Sequence, residues 1–195
     1  MTDPVNDPRE LDRLVASALA GEREAMNTLL RILRPLVVRY CRSRLGGYDR
    51  VNASPDDVAQ EVCLAVLRAL PTYQDQGRPF LAFVYGIASH KVIDAHRAAS
   101  RNRSEPVADV PDRMETSDGP ESRALQVELS AEMSRLLEVL PEKHREIIVL
   151  RVVVGLSAEE TAAAVGSTPG AVRVAQHRAL SRLRKIMSEE VVRDA

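Results

Sequence analysis

Few side chains in this 195-residue sequence have types and spacings suited to covalent or metal chemistry. His90 and Asp94 stand one helical turn apart, a spacing that can bring two metal ligands to one face, and His96 follows closely. His96 points elsewhere around a helix, and no further His or Cys cluster adds ligands, so neither a metal nor any other cofactor is expected. Cys41 and Cys63 are far apart and without a second pair. They read as reduced, half-buried thiols rather than as a zinc site or a disulfide framework. No P-loop, dinucleotide fingerprint or nucleophile motif is present, and the chain is not expected to be an enzyme. The remaining chemistry is that of binding.

Three stretches carry it. Between Pro169 and Met187, Val172, Ala175, Ala179, Leu183 and Ile186 fall on one helical stripe. The opposite face presents Arg173, Val174, His177, Arg178, Ser181 and Lys185. A helix with a packed inner side and a cationic outer side fits the DNA major groove. There Arg reads guanine and phosphate, and an exposed Val can touch a thymine methyl. The bland alternative is an ordinary solvated helix face. From Phe80 to about Ala99, Phe80, Val84, Ile87, Ala88 and Ala95 form the inner side, against Phe83, Gly86, Ser89, His90, Arg97 and Arg101. Aromatic, His and Arg side chains together suit unstacked bases and phosphates, although a core helix with a charged rim reads the same way. Gly86 costs about 1 kcal/mol mid-helix relative to Ala and points to a close backbone approach. From Pro55 to Leu70, Val58, Val62, Ala65, Val66 and Ala69 form the core stripe. Leu64 and Leu67 sit on the reverse side among Asp56, Asp57, Gln60, Glu61 and Arg68. Apolar tips ringed by acids repel nucleic acid and suit a protein-docking surface, the alternative being a helix buried on two sides.

The elements that position these groups are helices. Hydrophobic residues make up 45% of the chain, aromatics 3%, and Trp is absent, so the cores are built from Leu, Val, Ile and Ala. The fold class is all-α: two small helical domains joined by a flexible acidic linker. Helices are predicted near 9–20, 23–45, 55–70 and 80–99 in the first domain, and near 122–139, 142–153, 157–165 and 169–188 in the second. Ser54 precedes Pro55, Asp56 and Asp57, a cap, a first-position proline and two acids at the positive end of a helix. Ser157 and Glu160 have capping-box spacing, and Thr168-Pro169 repeats the start. With Gly166-Ser167 as the turn, the last two helices form a helix-turn-helix.

The formal net charge of -1 conceals a segregation: residues 1–103 carry +3, residues 104–130 carry -5 and residues 131–195 carry +1. The boundary lies at 104–122, with Pro106, Pro111, Gly119-Pro120 and six acids against one Arg. Domains are therefore expected over 1–103 and 123–195. The polar start, with Pro4 and Pro8, does not read as a signal peptide. The longest apolar run, from Ile147, is interrupted by Arg151 and is too short for a bilayer. A cytoplasmic protein that does not engage membranes is expected.

Taken together, these stretches resemble the bacterial RNA polymerase sigma factors of the extracytoplasmic-function (ECF) type. SPDDVAQEVCLAVLRAL (54–70) resembles their polymerase-clamp docking segment, and GRPFLAFVYGIASHKVIDAHRAASR (77–101) their promoter-melting and minus-ten-reading segment. LPEKHREIIVLRVVVGLSAEETAAAVGSTPGAVRVAQHRALSRLR (140–184) resembles their minus-thirty-five helix-turn-helix, and LAGEREAM (19–26) fits an early helix boundary. The resemblance implies a sigma factor that binds core RNA polymerase and directs promoter-specific initiation. It assigns residues 1–103 to sigma region two and residues 123–195 to region four. It places Asp56, Asp57, Gln60, Glu61 and Leu64 against polymerase. Phe83, His90, Arg97 and Arg101 fall at the melted minus-ten strand. Ser167, Thr168, Arg173, Val174, His177 and Arg178 fall at the minus-thirty-five duplex. It also implies an anti-sigma partner. The linker, with Glu105, Asp109, Asp112, Glu115, Asp118 and Glu121, is expected to follow a cationic polymerase channel. Departures set the promoter sequence apart: His90 stands where the family often has Asn, Val174 and Ala175 where polar residues are usual, and Gln176 where Leu is usual. A helix-turn-helix regulator that does not bind polymerase explains residues 140–187 equally well, but not the acid-ringed leucines.

Overall fold

The computed structural model describes residues 8–45, 54–74, 77–102, 133 and 135–193, and among them there is no strand. The first domain comprises α1 (Pro8–Leu19), α2 (Arg23–Leu45), α3 (Pro55–Ala69) and α4 (Phe80–Asn102), with a 3-10 turn at Leu70–Thr72. The second comprises α5 (Glu142–Ile148), a π-helical segment (Val149–Val154), α6 (Ala158–Val165) and α7 (Pro169–Arg193). The helix expected near 122–139 and the whole linker fall largely or wholly outside the described residues.

Rows at four-residue spacing explain the first domain. Leu29, Leu33 and Val37 of α2, Val58, Val62 and Val66 of α3, and Val84, Ala88 and Val92 of α4 are all buried. Each row is a ridge that a neighbouring helix can straddle. Accordingly α2 packs on α1, α3 and α4, and α3 packs on α4. The start of α3 is a full capping box: the Asp57 amide donates to Ser54 Oγ at 3.1 Å, and Asp57 Oδ2 accepts from the Ser54 amide at 3.3 Å.

The second domain corrects one expectation. The single helix expected over 142–153 stops as an α-helix at Ile148 and continues as a π-helix to Val154. The widened turn closes on Gly155, left-handed at φ 92°, whose amide donates to Leu150 O at 3.1 Å. Arg151 thereby reaches two acceptors, the Leu156 carbonyl and Gln176 Oε1, the latter at 3.0 Å. A guanidinium inside an apolar run is thus tied to α7 rather than left solvated.

The sequence was silent on how the domains sit, and the structure packs them together. α2 lies against the π-helical segment and α4 against α6. One apolar cluster runs from Leu11 in α1 through Val92 in α4 to Leu150 and Ala179 of the second domain.

Candidate nucleic-acid and polymerase interface

The helix-turn-helix is fixed at both ends of its turn. Ser157 and Glu160 form the expected capping box, with Glu160 N donating to Ser157 Oγ at 3.1 Å. Gly166 ends α6 left-handed at φ 61°, and Thr168 Oγ1 caps α7 by accepting from Ala171 N at 3.2 Å. Val172 and Ala179 of the inner stripe are buried, and Ala175, Leu183 and Ile186 are half-buried. Arg173, Val174, His177, Arg178, Ser181 and Lys185 are all exposed, Thr168 is exposed and Ser167 half-buried. Val174 is 50% exposed, a side chain that packing does not account for.

Two features of this face were missed in the sequence. Arg173 Nη2 donates to Glu159 Oε1 at 2.7 Å, bringing a carboxylate from the first turn of α6 onto the cationic face. Lys143, His144 and Ile147 of α5 join Ser167, Val174 and Arg178 around a hollow of about 340 Å³. It has an apolar floor and a basic rim. The sequence signal was the spacing of Lys143 and His144 one turn before Ile147, legible only once α5 is known to pack on α7.

On α4, His90 and Arg101 are exposed, and Arg97 is exposed with Nη1 at 3.7 Å from Asp94. Phe83 is half-buried, its ring 5.0 Å from that of Tyr73 and 5.9 Å from that of Phe80. An aromatic cluster therefore occupies part of the surface expected to meet bases. A side-chain carbon added at Gly86 would meet nothing within 4 Å, so no described part of the chain crowds that glycine. His96 turns to the second domain. Burial, reinforced by Arg44, holds its imidazole below the ordinary pKa.

On α3, Leu64 is 45% exposed, Gln60 and Glu61 are exposed and Leu67 is half-buried. The surrounding acids are engaged. Asp56 pairs with Arg42 at 3.1 Å, Asp57 serves the cap, and Glu61 accepts from Lys91 Nζ at 3.1 Å. Each pair holds α3 to a neighbouring helix or to its own first turn, so the acidic face is a fixed array.

The domain contact contains a buried polar cluster. Tyr40 Oη donates to Glu146 Oε1 at 2.7 Å. Arg44, its side chain 3% exposed, places Nε 3.1 Å from Glu146 Oε2 and pairs through Nη2 with Glu142. Burial pushes the Glu146 carboxyl up, and Arg44 and the Tyr40 hydroxyl offset this only in part. Burial also raises Tyr40 well above the ordinary phenol range.

Sigma-70 region 2 matches residues 29–102, and sigma-70 region 4 matches residues 130–183. The chain is 62% identical over 174 residues to the ECF RNA polymerase sigma factor SigD of Mycobacterium tuberculosis (strain ATCC 25618 / H37Rv), covering 89% of this chain and 82% of that one. It is 52% identical over 180 residues to the ECF RNA polymerase sigma factor ShbA of Streptomyces griseus, covering 90% and 94%. Among solved structures, CnrH in complex with the cytosolic domain of CnrY superposes with a TM-score of 0.66 at 27% identity, covering 90% of this chain and 96% of that one. The chain belongs to the ECF RNA polymerase sigma factors. It is a transcription initiation factor that binds core RNA polymerase and promoter DNA and directs promoter-specific initiation. Among the described residues no helix is long and apolar enough to cross a membrane.

Proposed function

We propose that the chain divides initiation between its two domains. Residues 1–103 dock on core polymerase and hold the melted minus-ten strand, residues 123–195 bind the minus-thirty-five duplex, and residues 104–122 connect them. The observation that carries this reading is the outer face of α7. There Arg173, Val174, His177 and Arg178 are exposed side by side on a helix whose inner stripe is packed. Phosphate contacts from the arginines set register, and Arg178 with Val174 reads base edges. On α3, Gln60, Glu61 and Leu64 meet polymerase, with Asp56 and Asp57 holding the helix start in shape. On α4, His90, Arg97 and Arg101 hold unstacked bases and backbone, and Phe83 contributes its exposed edge. The acidic linker follows a cationic channel of polymerase. The protein is no enzyme and works in the cytoplasm. CnrH is seen with the cytosolic domain of CnrY, and we extend to this chain a protein partner of that kind, an anti-sigma factor.

Footprinting and run-off transcription with core polymerase and the full chain test this division. Arg178→Ala is expected to lose protection of the minus-thirty-five element. His90→Ala is expected to keep it while slowing open-complex formation. Loss of both elements together in either variant would contradict separate roles. Dimeric binding to paired half-sites without transcription would favour a plain regulator.

A further inference from the structure

The cluster of Tyr40, Arg44, Glu142 and Glu146 joins residues about a hundred positions apart and lies between the two domains. Three observations make it more than packing. First, Arg44 is almost fully buried, and its charge is met by carboxylates of the other domain. Second, satisfaction is incomplete: Arg44 Nη1 has no hydrogen-bond partner among the described residues. Removing those carboxylates would leave an uncompensated cation buried in the closed arrangement, so the contact depends on them, while separation of the domains returns Arg44 to water. Third, the contact sets α4 against α6, the two elements that the reading above assigns to different promoter segments. Minus-ten and minus-thirty-five elements are about 25 base pairs apart, about 85 Å of duplex at about 3.4 Å per pair. Domains in direct contact cannot reach both. The 30 residues from 103 to 132 span at most about 100 Å when fully extended, which is enough once the contact opens.

We propose that Arg44 and Tyr40 of α2 latch Glu142 and Glu146 of α5, holding the free chain in a closed form that must open before both promoter elements are engaged. This rests on the assignment of the two domains to the two elements. Arg39 adds a rim contact, Nη1 donating to Val153 O at 3.3 Å. The latch places Glu142 and Glu146 on the interdomain side of α5, and Lys143 and His144 beside the recognition helix. A state that is competent only when open binds polymerase and promoter with an apparent affinity reduced by its open fraction.

The test compares the full-length chain with Glu142→Gln/Glu146→Gln and with Tyr40→Phe. Small-angle scattering reads the radius of gyration, and initiation by core polymerase is titrated with each chain. Both variants are expected to keep far-ultraviolet helicity. The double variant is expected to expand by several ångströms and to lower the concentration for half-maximal initiation by about ten-fold, the scale of lost charged hydrogen bonds. Tyr40→Phe, which removes one hydroxyl, is expected to move both readouts less and in the same direction. Unchanged radii in both variants would overturn the latch, and expansion without easier initiation would overturn its restraining role. The latch is read from the radius and the domain assignment from the minus-thirty-five footprint, so each can fail without the other.

Discussion

Glu159 and Arg173 meet at 2.7 Å across the turn of the helix-turn-helix, so the cationic outer face carries a carboxylate of its own. Both side chains are 60% exposed, and the pair adds little to stability. Its effect falls on Arg173, whose guanidinium is held toward α6 rather than free to find any phosphate. A backbone hydrogen bond, with Arg173 adding to it, holds the Glu159 carboxyl below the ordinary range. Glu159→Gln is expected to strengthen binding to unrelated duplex by about two- to five-fold, the range of an exposed ion pair, and to narrow the margin for the promoter sequence. Fluorescence anisotropy with specific and scrambled duplexes checks this.

Arg178 has no such restraint in the described contacts and is exposed beside Lys143 and His144. Arg178→Ala is expected to lower the slope of log K against log salt by about one, the loss of one phosphate neutralisation. Because Arg178 also reads a base edge in the proposed arrangement, discrimination at one position of the element is expected to fall with it. Titrations at several salt concentrations separate the two effects.

The capping boxes set the local stability of both functional helices. Ser157→Ala is expected to cost about 1 kcal/mol and to weaken duplex binding, because α6 buttresses α7. Asp57→Ala is expected to lower the melting temperature, since its carboxylate completes the cap of α3, whereas Gln60→Ala leaves it unchanged. Thermal denaturation followed by circular dichroism distinguishes them. It also shows which α3 variants report on docking alone.

Cys41 gives the pH dependence a defined sign. Burial, with Cys63 and Asp56 nearby, pushes its thiol from the ordinary 9.0 up to about 12. The folded chain keeps the proton that the unfolded chain gives up. The stabilisation is therefore full below about pH 9 and is lost as pH rises toward 12. Wild-type melting temperature is expected to fall more steeply than that of Cys41→Ala between pH 9 and 11. Alkylation at pH 8 is expected to leave Cys41 unmodified until the chain unfolds.

How much of this was legible in the sequence depended on whether the cause was local. Four-residue apolar rows and serine or threonine caps gave α2, α3 and α6 to within a turn and the start of α7, whose end at Arg193 lies beyond the expected 188, because periodicity and capping act over neighbouring residues. The change to π geometry after Ile148 was hidden: IIVLRVVVGL is apolar but for Arg151, and the acceptors on Gln176 and Leu156 reveal why that arginine stands there. Asp57 was read as a dipole and docking acid, and its cap bond with Ser54 went unseen. Phe83 was assigned to bases without the competing rings of Tyr73 and Phe80. Tyr40 and Arg44 carried no signal, since their partners lie across the domain contact. The exposed residues of α7 itself were legible, because helical periodicity determines which side of a packed helix faces solvent, whereas Glu159, Lys143 and His144, brought to that face by α6 and α5, were not.

Polymerase docking through α3 is tested by co-elution of the full-length chain with core RNA polymerase on a sizing column, wild type beside a variant carrying Gln60→Ala, Glu61→Ala and Leu64→Ala. Those three positions leave the Ser54–Asp57 cap intact. Co-elution of the wild type, lost in a variant that remains helical and still binds duplex DNA, is the predicted result. Failure of the wild type to co-elute while it still bound duplex DNA would show that α3 is not a polymerase-docking face.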